Sequence, residues 1–383
     1  MSPAGRSRKD RLPLFRDYPQ LATRLPHVSL ADVPTPVEKM EAVGAAIGLA
    51  GLYIKRDDLS GELYGGNKVR KLEFLFGKIM GTRAKEVITF GFAGSNHALA
   101  TAIYARQLGL KCSSLLMSQV NAHYVRQNLL ASHHYGARLC HYPNLALLSL
   151  ATGGQLLRSW IRHGALPRLI PAGGSCPLGI LGYVNAALEL RDQIARNDLP
   201  EPDLIYVPLG SMGTAAGLMI GLKAAGMKTR VLPVRVIEEQ MASPKRMLRL
   251  IRQTVALLAT LDPSFPPLTF SDEELCIRND CIGEGYAQFT AEGVKAADLM
   301  KREAGIPMNG AYSAKAFAAL VGDAAAGVLT GKRVLFWNTY NSRDLSAVAA
   351  GTDYRTLPGG FHRYFEDEVQ PLDKGQGSRK GTP

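Results

Sequence analysis

The fold is decided by the stretch Tyr64-Gly65-Gly66-Asn67-Lys68-Val69-Arg70-Lys71-Leu72-Glu73-Phe74-Leu75. Its glycines and asparagine interrupt regular structure, and apolar residues then recur at helical spacing, which places Lys68 where a loop becomes a helix. The positive end of a helix dipole favours a neutral amine, the form that attacks a carbonyl carbon. A solvated lysine in a first helical turn is the alternative that this stretch leaves open.

A second loop, Gly210-Ser211-Met212-Gly213-Thr214, follows an apolar run and precedes a helix of small residues. Backbone N–H groups of such a loop and the helix N-terminus are typical of a phosphate site. The spacing is neither that of the nucleotide P-loop nor that of a dinucleotide fingerprint, and close helix-to-sheet packing also uses glycine. A reactive lysine together with a phosphate loop suggests pyridoxal phosphate, whose aldehyde bonds to a lysine.

These motifs together become specific. Gly65 to Glu73, Ser95-Asn96-His97 and Gly210 to Thr214 resemble the D-cysteine desulfhydrase and 1-aminocyclopropane-1-carboxylate (ACC) deaminase family of pyridoxal-phosphate enzymes. The likeness extends from about Leu30 to about Leu345, with the motifs in the family's order. It implies fold type II: two doubly wound parallel-sheet domains with the cofactor in the cleft between them. It also implies a small amino-acid substrate and a homodimer.

Strand-like and helix-like runs alternate from Glu86 to Trp337, which predicts parallel sheets covered by helices. Before them, Pro34 to Val37 is predicted as an extended entry segment. The predicted organisation is a basic mobile arm (1–26), a large pyridoxal-phosphate-binding domain (27–70 and 180–352), a small domain (71–179) and a disordered polar tail (353–383).

Composition excludes several classes of protein. The 383 residues are 46% hydrophobic and 20% charged, a length and composition that are enough for a substantial core and two domains. The net charge is +12. No motif of nucleic-acid-binding proteins accompanies the positive charge. Five cysteines, an odd number without Cys-x-x-Cys spacing, argue against a metal or disulfide framework. Without an apolar signal or membrane-spanning stretch, a cytoplasmic protein is expected.

The resemblance implies a role for each cofactor-binding residue. Lys68 carries the cofactor, Asn96 contacts the ring's phenolic oxygen, and Thr339 hydrogen-bonds the pyridine nitrogen. The phosphate is expected at Lys71, Ser211, Met212, Gly213 and Thr214. An exposed Lys71 that binds nothing is the alternative. The turn Gly173-Gly174-Ser175-Cys176 is either a further contact near the cofactor or a crossover between domains.

The resemblance also implies substrate contacts. Ser95 is expected over the cofactor near the substrate, whose carboxylate binds at Ser95, Asn96 and His97; an ordinary helix N-cap is the alternative for this turn. Tyr286 and Tyr312 are expected as active-site phenols that stabilise or transfer a proton, rather than as packing residues. His97 is typical of the desulfhydrase branch, where ACC deaminases carry glutamine.

Several positions depart from the family pattern. Gly94 stands where glutamine is usual, Asn309 to Ala311 replace Asp-Pro-Val, and Tyr340-Asn341 replace two glycines, which is expected to narrow or reshape the pocket. Ser313 replaces the glutamate of ACC deaminases. A carboxylate keeps the ring nitrogen protonated, whereas a hydroxyl such as that of Thr339 leaves it largely neutral and favours elimination of a good β leaving group.

The leading hypothesis is a lyase that eliminates a β leaving group from a small amino acid, most like D-cysteine desulfhydrase, to give pyruvate, sulfide and ammonia. ACC deamination is the second hypothesis, and Ser313 argues against it. The departures motivate a third, a specialised biosynthetic β-replacement or carbon-sulfur lyase. From a different class, the chain could be a cofactor-holding protein that lost the chemistry.

Overall fold

The protein is described by a computed structural model that covers residues 12–374. None of the helices in this range is long and apolar enough to cross a bilayer. The helices are α1 (Pro13–Asp17), α2 (Pro19–Arg24), α3 (Glu41–Ala46), α4 (Asn67–Met80), α5 (Asn96–Gln107), α6 (His123–His134), α7 (Leu145–His163), α8 (Leu181–Ala195), α9 (Gly213–Ala224), α10 (Pro244–Leu261), α11 (Ala291–Ala304), α12 (Ser313–Ala325), α13 (Ser346–Ala350) and α14 (Arg363–Glu366).

Two sheets organise the chain. The strands are β1 (Val37–Lys39), β2 (Leu52–Lys55), β3 (Glu86–Phe92), β4 (Lys111–Met117), β5 (Arg138–Tyr142), β6 (Arg168–Ile170), β7 (Leu204–Leu209), β8 (Arg230–Arg235) and β9 (Val334–Trp337). One sheet has the order β1-β2-β9-β7-β8 and the other β5-β4-β3-β6. The predicted α/β class and its alternating elements are confirmed; the domain boundaries stay a proposal, with the strands of each sheet falling inside one predicted domain.

One edge of the larger sheet differs from the expected all-parallel arrangement. The entry segment continues into β1, which pairs antiparallel with β2 in the register Val37 to Lys55, whereas the other strand pairs are parallel. A short loop-and-helix connection, α3, lets the chain reverse direction and add a strand at the edge.

The predicted mobile arm is wrong for residues 12–26. These residues form α1 and α2, and their apolar side chains are buried in the core of the larger sheet: Leu12, Leu14, Phe15, Leu21 and Leu25. The Leu14 backbone N–H also donates to Asn185 Oδ1 at 3.0 Å. The free energy gained by burying these apolar side chains outweighs the conformational entropy lost when the segment is ordered. The polar composition of the segment had suggested the opposite balance. Residues 1–11 lie outside the described residues.

The predicted disordered tail is wrong for residues 353–374. Phe361 and Tyr364 are completely buried. Tyr364 also accepts a bond from the backbone N–H of Gln119 through its hydroxyl (2.9 Å), and its carbonyl accepts one from Arg126 Nε (2.6 Å). Two aromatic anchors therefore fix a segment whose average composition is polar. Residues 375–383 lie outside the described part of the chain.

A buried group of four charges supports the helix that begins beside Lys68. Arg70, two residues further along α4, contacts Asp57 (2.8 Å) and Glu189 (2.9 Å), and Lys55 contacts Glu189 (2.6 Å). Burial would raise the pKa of Glu189, but the positive charges of Arg70 and Lys55 outweigh it and hold that pKa at about 2. The Asp57 carbonyl also accepts the Gly66 N–H at 2.7 Å. We refer to these four side chains as the ion cluster; it ties the Lys68 loop to the larger sheet.

Candidate active site

A cavity of about 280 Å³ lies at the carboxyl ends of β3, β7 and β9. In open α/β sheets this end is where loops gather and ligands bind. The predicted site residues that line the cavity are Lys68, Ser95, Asn96, His97, Ser211, Met212, Thr214, Tyr286, Tyr312 and Thr339. The two others, Lys71 and Gly213, lie behind its wall. The structure thus gathers segments that are far apart in sequence around one space.

The loop before Lys68 requires its glycines. Gly66 has φ +88°, and a Cβ on Gly65 would lie 1.9 Å from the Asp58 carbonyl oxygen. The loop is also bonded to the segment after β9: Gly65 N–H donates to Asn341 Oδ1 (2.7 Å) and Asn67 N–H to the Thr339 carbonyl (3.1 Å). These bonds fix the position from which the Lys68 side chain enters the cavity.

The Lys68 amine is prepared for reaction rather than solvated. Its Nζ donates to Asn67 Oδ1 at 2.6 Å, and none of the carboxylates in residues 12–374 forms an ion pair with it. Burial, which disfavours the charged form, lowers its pKa from 10.5 to about 8. At pH 7 about a tenth of the amine is therefore neutral, compared with less than about a thousandth at the ordinary pKa, and the neutral amine is the reactive form of a nucleophilic lysine.

A second lysine supplies charge to the proposed phosphate end. Lys71 is completely buried, and its Nζ donates to the Gly173 carbonyl (3.2 Å) and to Ser175 Oγ (3.3 Å). Burial and the nearby charge of Lys68 hold the pKa of Lys71 well below its usual value. Within residues 12–374, no carboxylate forms an ion pair with Lys71. A buried amine whose hydrogen-bond partners are neutral takes up a proton when an anion such as phosphate lies beside it, and the exposed Lys71 considered from the sequence does not occur.

The glycine loop at the start of α9 forms a cradle beside Lys71. A Cβ on Gly213 would lie 2.4 Å from Ser175 Oγ and 2.9 Å from Lys71 Nζ, so glycine lets these two side chains approach the start of α9. Met212 has φ 65°, a conformation that costs energy in a side-chain-bearing residue and is concentrated at functional sites. The Gly213 N–H donates to the Ser211 carbonyl at 2.8 Å, so Gly213 contributes space rather than a free donor.

The turn into α5 combines both interpretations considered for it. Ser95 is an N-cap, because its Oγ accepts from the Ala98 N–H at 3.2 Å, and it lines the cavity as well. Asn96 Oδ1 accepts from Asn128 Nδ2 (2.8 Å) and from the Tyr64 hydroxyl (3.3 Å), so the Asn96 amide presents its N–H₂ as the available donor. The first-turn N–H groups of α5 lack acceptors within their own helix and suit a carboxylate.

His97 is neutral at this turn. It is 2% exposed, and burial, with the charges of Lys68 and Lys71, holds its pKa well below 6.5. A neutral imidazole next to two lysines adds no further positive charge to the cavity.

Tyr286 and Tyr312 face each other in the cavity and are hydrogen-bonded through their hydroxyl oxygens. Burial raises the pKa of Tyr312 to about 12, while the bond from Tyr286 acts in the opposite direction. Burial raises the pKa of Tyr286 further, and its bond to Tyr312 adds to the increase. Either hydroxyl can donate in this pair, and Tyr312 is the phenol whose pKa is raised less.

The positions that depart from the family pattern have separate structural explanations. A Cβ on Gly94 would lie 2.8 Å from Tyr124 and Val125 atoms, so this backbone has no room for a glutamine. Ser313 is buried, and its Oγ accepts from the Asn309 N–H at 2.9 Å, which directs it away from the cavity. Tyr340 and Asn341 do line the cavity, as expected of side chains that replace glycines.

Sequence reasoning missed several residues of the site. Asn67 orients both Lys68 and, through a 2.9 Å bond, Thr214. Its position next to the lysine was the available signal. Ser175 bonds to Ser211 Oγ at 2.8 Å and belongs to the turn whose role was left open. An apolar wall formed by Phe92, Ile237 and Met241 had no signal, because such residues are indistinguishable from core positions in a sequence.

Comparison with known families agrees with this geometry. Residues 28–339 match the family described as pyridoxal-phosphate dependent enzyme. The lysine, the glycine cradle and the buried cation without a carboxylate fit an aldehyde at one end and a phosphate at the other. The cofactor of this chain is pyridoxal phosphate.

Two curated relatives and one solved structure are similar over most of their lengths. The D-cysteine desulfhydrase of Serratia proteamaculans (strain 568) is 31% identical over 314 residues, covering 79% of this chain and 89% of the relative. The nocardicin C-9' epimerase of Nocardia uniformis subsp. tsuyamanensis is 32% identical over 330 residues, covering 85% of this chain and 95% of the relative. A crystal structure of an ACC deaminase homologue has a TM-score of 0.72 and 30% identity, covering 86% of this chain and 94% of that one. The chain therefore belongs to the pyridoxal-phosphate dependent enzymes of fold type II, in the group that contains D-cysteine desulfhydrase and ACC deaminase.

Proposed function

We propose that this enzyme eliminates a β leaving group from a small amino acid, with D-cysteine as the first substrate to test. The observation that carries the proposal is the absence of aspartate and glutamate from the described residues that line the cavity, while Thr339 and the phenols of Tyr286 and Tyr312 do line it. A site without a carboxylate at the ring nitrogen favours loss of a good leaving group over reactions that need the strongest electron sink. Overall, D-cysteine and water would give pyruvate, hydrogen sulfide and ammonia.

When bound, pyridoxal phosphate supplies an aldehyde for amine exchange and an electron sink for charge that develops at the substrate Cα. Lys68 Nζ would hold the cofactor, and its amine is placed to accept the proton from the substrate Cα. Lys71 and the loop Ser211 to Thr214 would hold the phosphate. The amide N–H₂ of Asn96 and the hydroxyl of Thr339 would orient the ring by hydrogen bonds.

The substrate is held at the N-terminus of α5. Its carboxylate binds the first-turn N–H groups at Asn96 and His97, and the Ser95 hydroxyl lies beside the reacting carbon. The neutral His97 leaves Lys68 free of an additional charged neighbour, which keeps its amine a competent base.

The phenol pair donates a proton to the leaving group. Both phenols are protonated at neutral pH, because burial raises both pKa values. We assign this proton to Tyr312, the phenol of the pair whose pKa is raised less. A phenol is a suitable general acid for a thiolate, which leaves more readily when it is protonated.

Replacement of Tyr312 with phenylalanine is expected to lower kcat by about 10²- to 10⁴-fold, the usual contribution of a positioned general acid. Tyr286→Phe should have a smaller effect, because it removes only the bond that orients Tyr312. Steady-state sulfide release measures both, and cofactor absorbance should be unchanged in both. A Tyr312→Phe enzyme with wild-type kcat would assign the proton to another donor.

Cofactor attachment is expected to depend on pH through Lys68. Since its pKa is lowered from 10.5 to about 8, the neutral fraction increases about tenfold per pH unit below that value and levels off above it. The rate at which apoprotein develops the absorbance of bound cofactor should follow this profile in stopped-flow mixing. A rate that continues to rise steeply to pH 10 would indicate an unperturbed lysine.

The deciding experiment measures sulfide, pyruvate and ammonia from D-cysteine with the cofactor-loaded enzyme, alongside L-cysteine and ACC. Equal amounts of sulfide and pyruvate from D-cysteine alone are expected. Production of 2-oxobutanoate from ACC would replace the proposal with ACC deamination, which the serine at position 313, where ACC deaminases carry a glutamate, argues against. Exchange of the α hydrogen without product release would indicate epimerase chemistry, and cofactor binding without any turnover would indicate a protein that has lost catalysis.

Response to larger amino acids tests the third hypothesis. Tyr340 replaces a glycine on the cavity wall, and the apolar residues Phe92, Ile237 and Met241 extend that wall. If only larger β-substituted amino acids alter the absorbance of the bound cofactor, a specialised β-replacement or carbon-sulfur lyase is the better description. We further propose that the enzyme acts in the cytoplasm as a homodimer, in line with the family resemblance.

A further inference from the structure

Lys315 is completely buried, as Lys55 and Lys71 are, but the proposed mechanism gives it no role. It lies in the first turn of α12 and is not among the described residues that line the cavity. Its Nζ donates to two backbone carbonyls, those of Ile282 (2.5 Å) and Gly285 (3.2 Å). Burial lowers its pKa to about 8, so about nine-tenths of the amine is still an ammonium donor at pH 7. A buried ammonium held by main-chain carbonyls fixes one segment of the chain against another.

The two carbonyls belong to the segment that carries Tyr286. Residues 281–289, which we call the Tyr286 loop, form neither helix nor strand. Three residues of this loop have a positive φ: Gly283 (69°), Gly285 (149°) and Ala287 (63°). Such a value is rare for alanine and persists only where surrounding groups enforce it. The shape of the Tyr286 loop therefore depends on contacts from other parts of the chain.

Two further segments contact this loop through hydrogen bonds to its backbone. The carboxylate of Glu238, which follows β8, accepts the Tyr286 N–H at 2.9 Å. Gln370, from the C-terminal segment, donates through Nε2 to the Ala287 carbonyl (3.1 Å) and accepts the Phe289 N–H (2.7 Å). Together with Lys315, these side chains hold the loop in the conformation that directs Tyr286 into the cavity.

Lys315 differs from the other two contacts because it shares a helical turn with Tyr312, three residues before it. Tyr312 is the N-cap residue of α12. Its N–H donates to the Asn309 carbonyl (3.1 Å), and its carbonyl accepts the Ala316 N–H (3.2 Å), so the start of the helix itself fixes Tyr312. Tyr286 has no such element around it. Lys315 joins the loop of Tyr286 to the turn of Tyr312, and the meeting of the two hydroxyls depends on that link.

We propose that Lys315 is a positioning residue for the phenol pair: it holds the Tyr286 loop against the first turn of α12, so that the hydroxyls of Tyr286 and Tyr312 meet in the cavity. Lys315 acts through these two phenols and does not itself contact the substrate. The inference rests on the proposed function, in which Tyr312 protonates the leaving group, but the link between loop and helix can be measured without catalysis.

Hydrogen exchange of the full-length, cofactor-loaded protein, followed by mass spectrometry, tests the link. Lys315→Met keeps an unbranched stem without a donor, and Glu238→Ala alters an exposed side chain, so folding is not at risk in the second variant. Peptides that contain the Tyr286 amide should exchange about tenfold faster in both variants, while peptides from β7 are unchanged. Glu239→Ala is the matched control: Glu239 is 66% exposed and pairs with Arg235 instead, so exchange should remain that of the wild type.

Kinetics test whether the link serves the phenols. Lys315→Met should lower kcat for sulfide release by about 10- to 100-fold and change KM by less than about threefold, because a small displacement of a positioned group slows the reaction while the substrate contacts remain. The absorbance of bound cofactor should be unchanged. In a Tyr312→Phe background, Lys315→Met should lower kcat by less than about threefold, since the group that it positions is already absent.

Three results would overturn the proposal: wild-type exchange of the Tyr286 loop in Lys315→Met, a rise in KM in place of the fall in kcat, or losses that multiply fully in the double variant. The last two are what general damage to the fold produces. If D-cysteine proves not to be a substrate, the proposed function fails, and the exchange experiment still decides whether Lys315 holds the loop.

Discussion

Replacing Lys68 with alanine is expected to remove the visible absorbance of bound cofactor and to lower turnover by about 10³- to 10⁶-fold, the range found when a covalent catalytic group is deleted. The reason is that Lys68 is the amine with a lowered pKa that faces the cavity, while Lys71 is engaged behind its wall. Spectra and product assays of the purified variant, supplied with excess cofactor, measure both effects.

Lys78 provides the matched control on the same helix. Its side chain is exposed at the far end of α4, so Lys78→Ala should retain full absorbance and activity. Lys71→Ala should behave differently from both: weaker cofactor affinity, with the absorbance restored at high cofactor concentration. Turnover that survives in Lys68→Ala at saturating cofactor would remove Lys68 from the mechanism.

Replacing Arg70 with methionine is expected to destabilise the protein by about 3–5 kcal/mol, the cost of leaving buried charges without their partner. The variant keeps an unbranched apolar stem but removes the contacts to Asp57 and Glu189, each within 2.9 Å. Lys55 alone would then balance two buried carboxylates. Urea unfolding followed by circular dichroism measures the change.

Arg302 is the control for this experiment. Its side chain is 66% exposed and pairs with the neighbouring Glu303, so Arg302→Met should change stability by less than about 0.5 kcal/mol. Because Asp57 also holds the Gly66 N–H, Arg70→Met should weaken cofactor binding as well. If Arg70→Met were as mild as Arg302→Met, the ion cluster would not support the fold as we describe it.

Most of the fold could be predicted because its signals are local. Long apolar periods, as in α8 and α10, and short continuous runs of apolar and aromatic residues, as in β9, specify elements without knowledge of the tertiary structure. The exceptions depended on distant partners. Helices α1 and α2 have five and six residues, too short to be stable alone, and form because Leu14 and Leu21 find space in the core.

The candidate site was predictable where a motif carries chemistry and unpredictable where only geometry does. Lys68 and the loop before α9 stand out in the sequence because a lysine and glycines occur at junctions of elements. The burial of Lys71 depends on contacts with a segment more than a hundred residues away, and the bond between Tyr286 and Tyr312 joins residues 26 positions apart. The assigned roles of these residues remain predictions for the experiments above.

The loop of Lys68 is completed from the other end of the chain, since Gly65 bonds to Asn341, 276 positions later. A ribosome that adds about 5–20 residues per second would need roughly 15–55 s after Gly65 to deliver that partner. A nascent chain therefore exposes its reactive lysine for that time without the contacts that orient it. The site can therefore be completed around the cofactor only after this part of the chain has been synthesised. Prematurely terminated chains that lack the last strand and Asn341 cannot form the complete site.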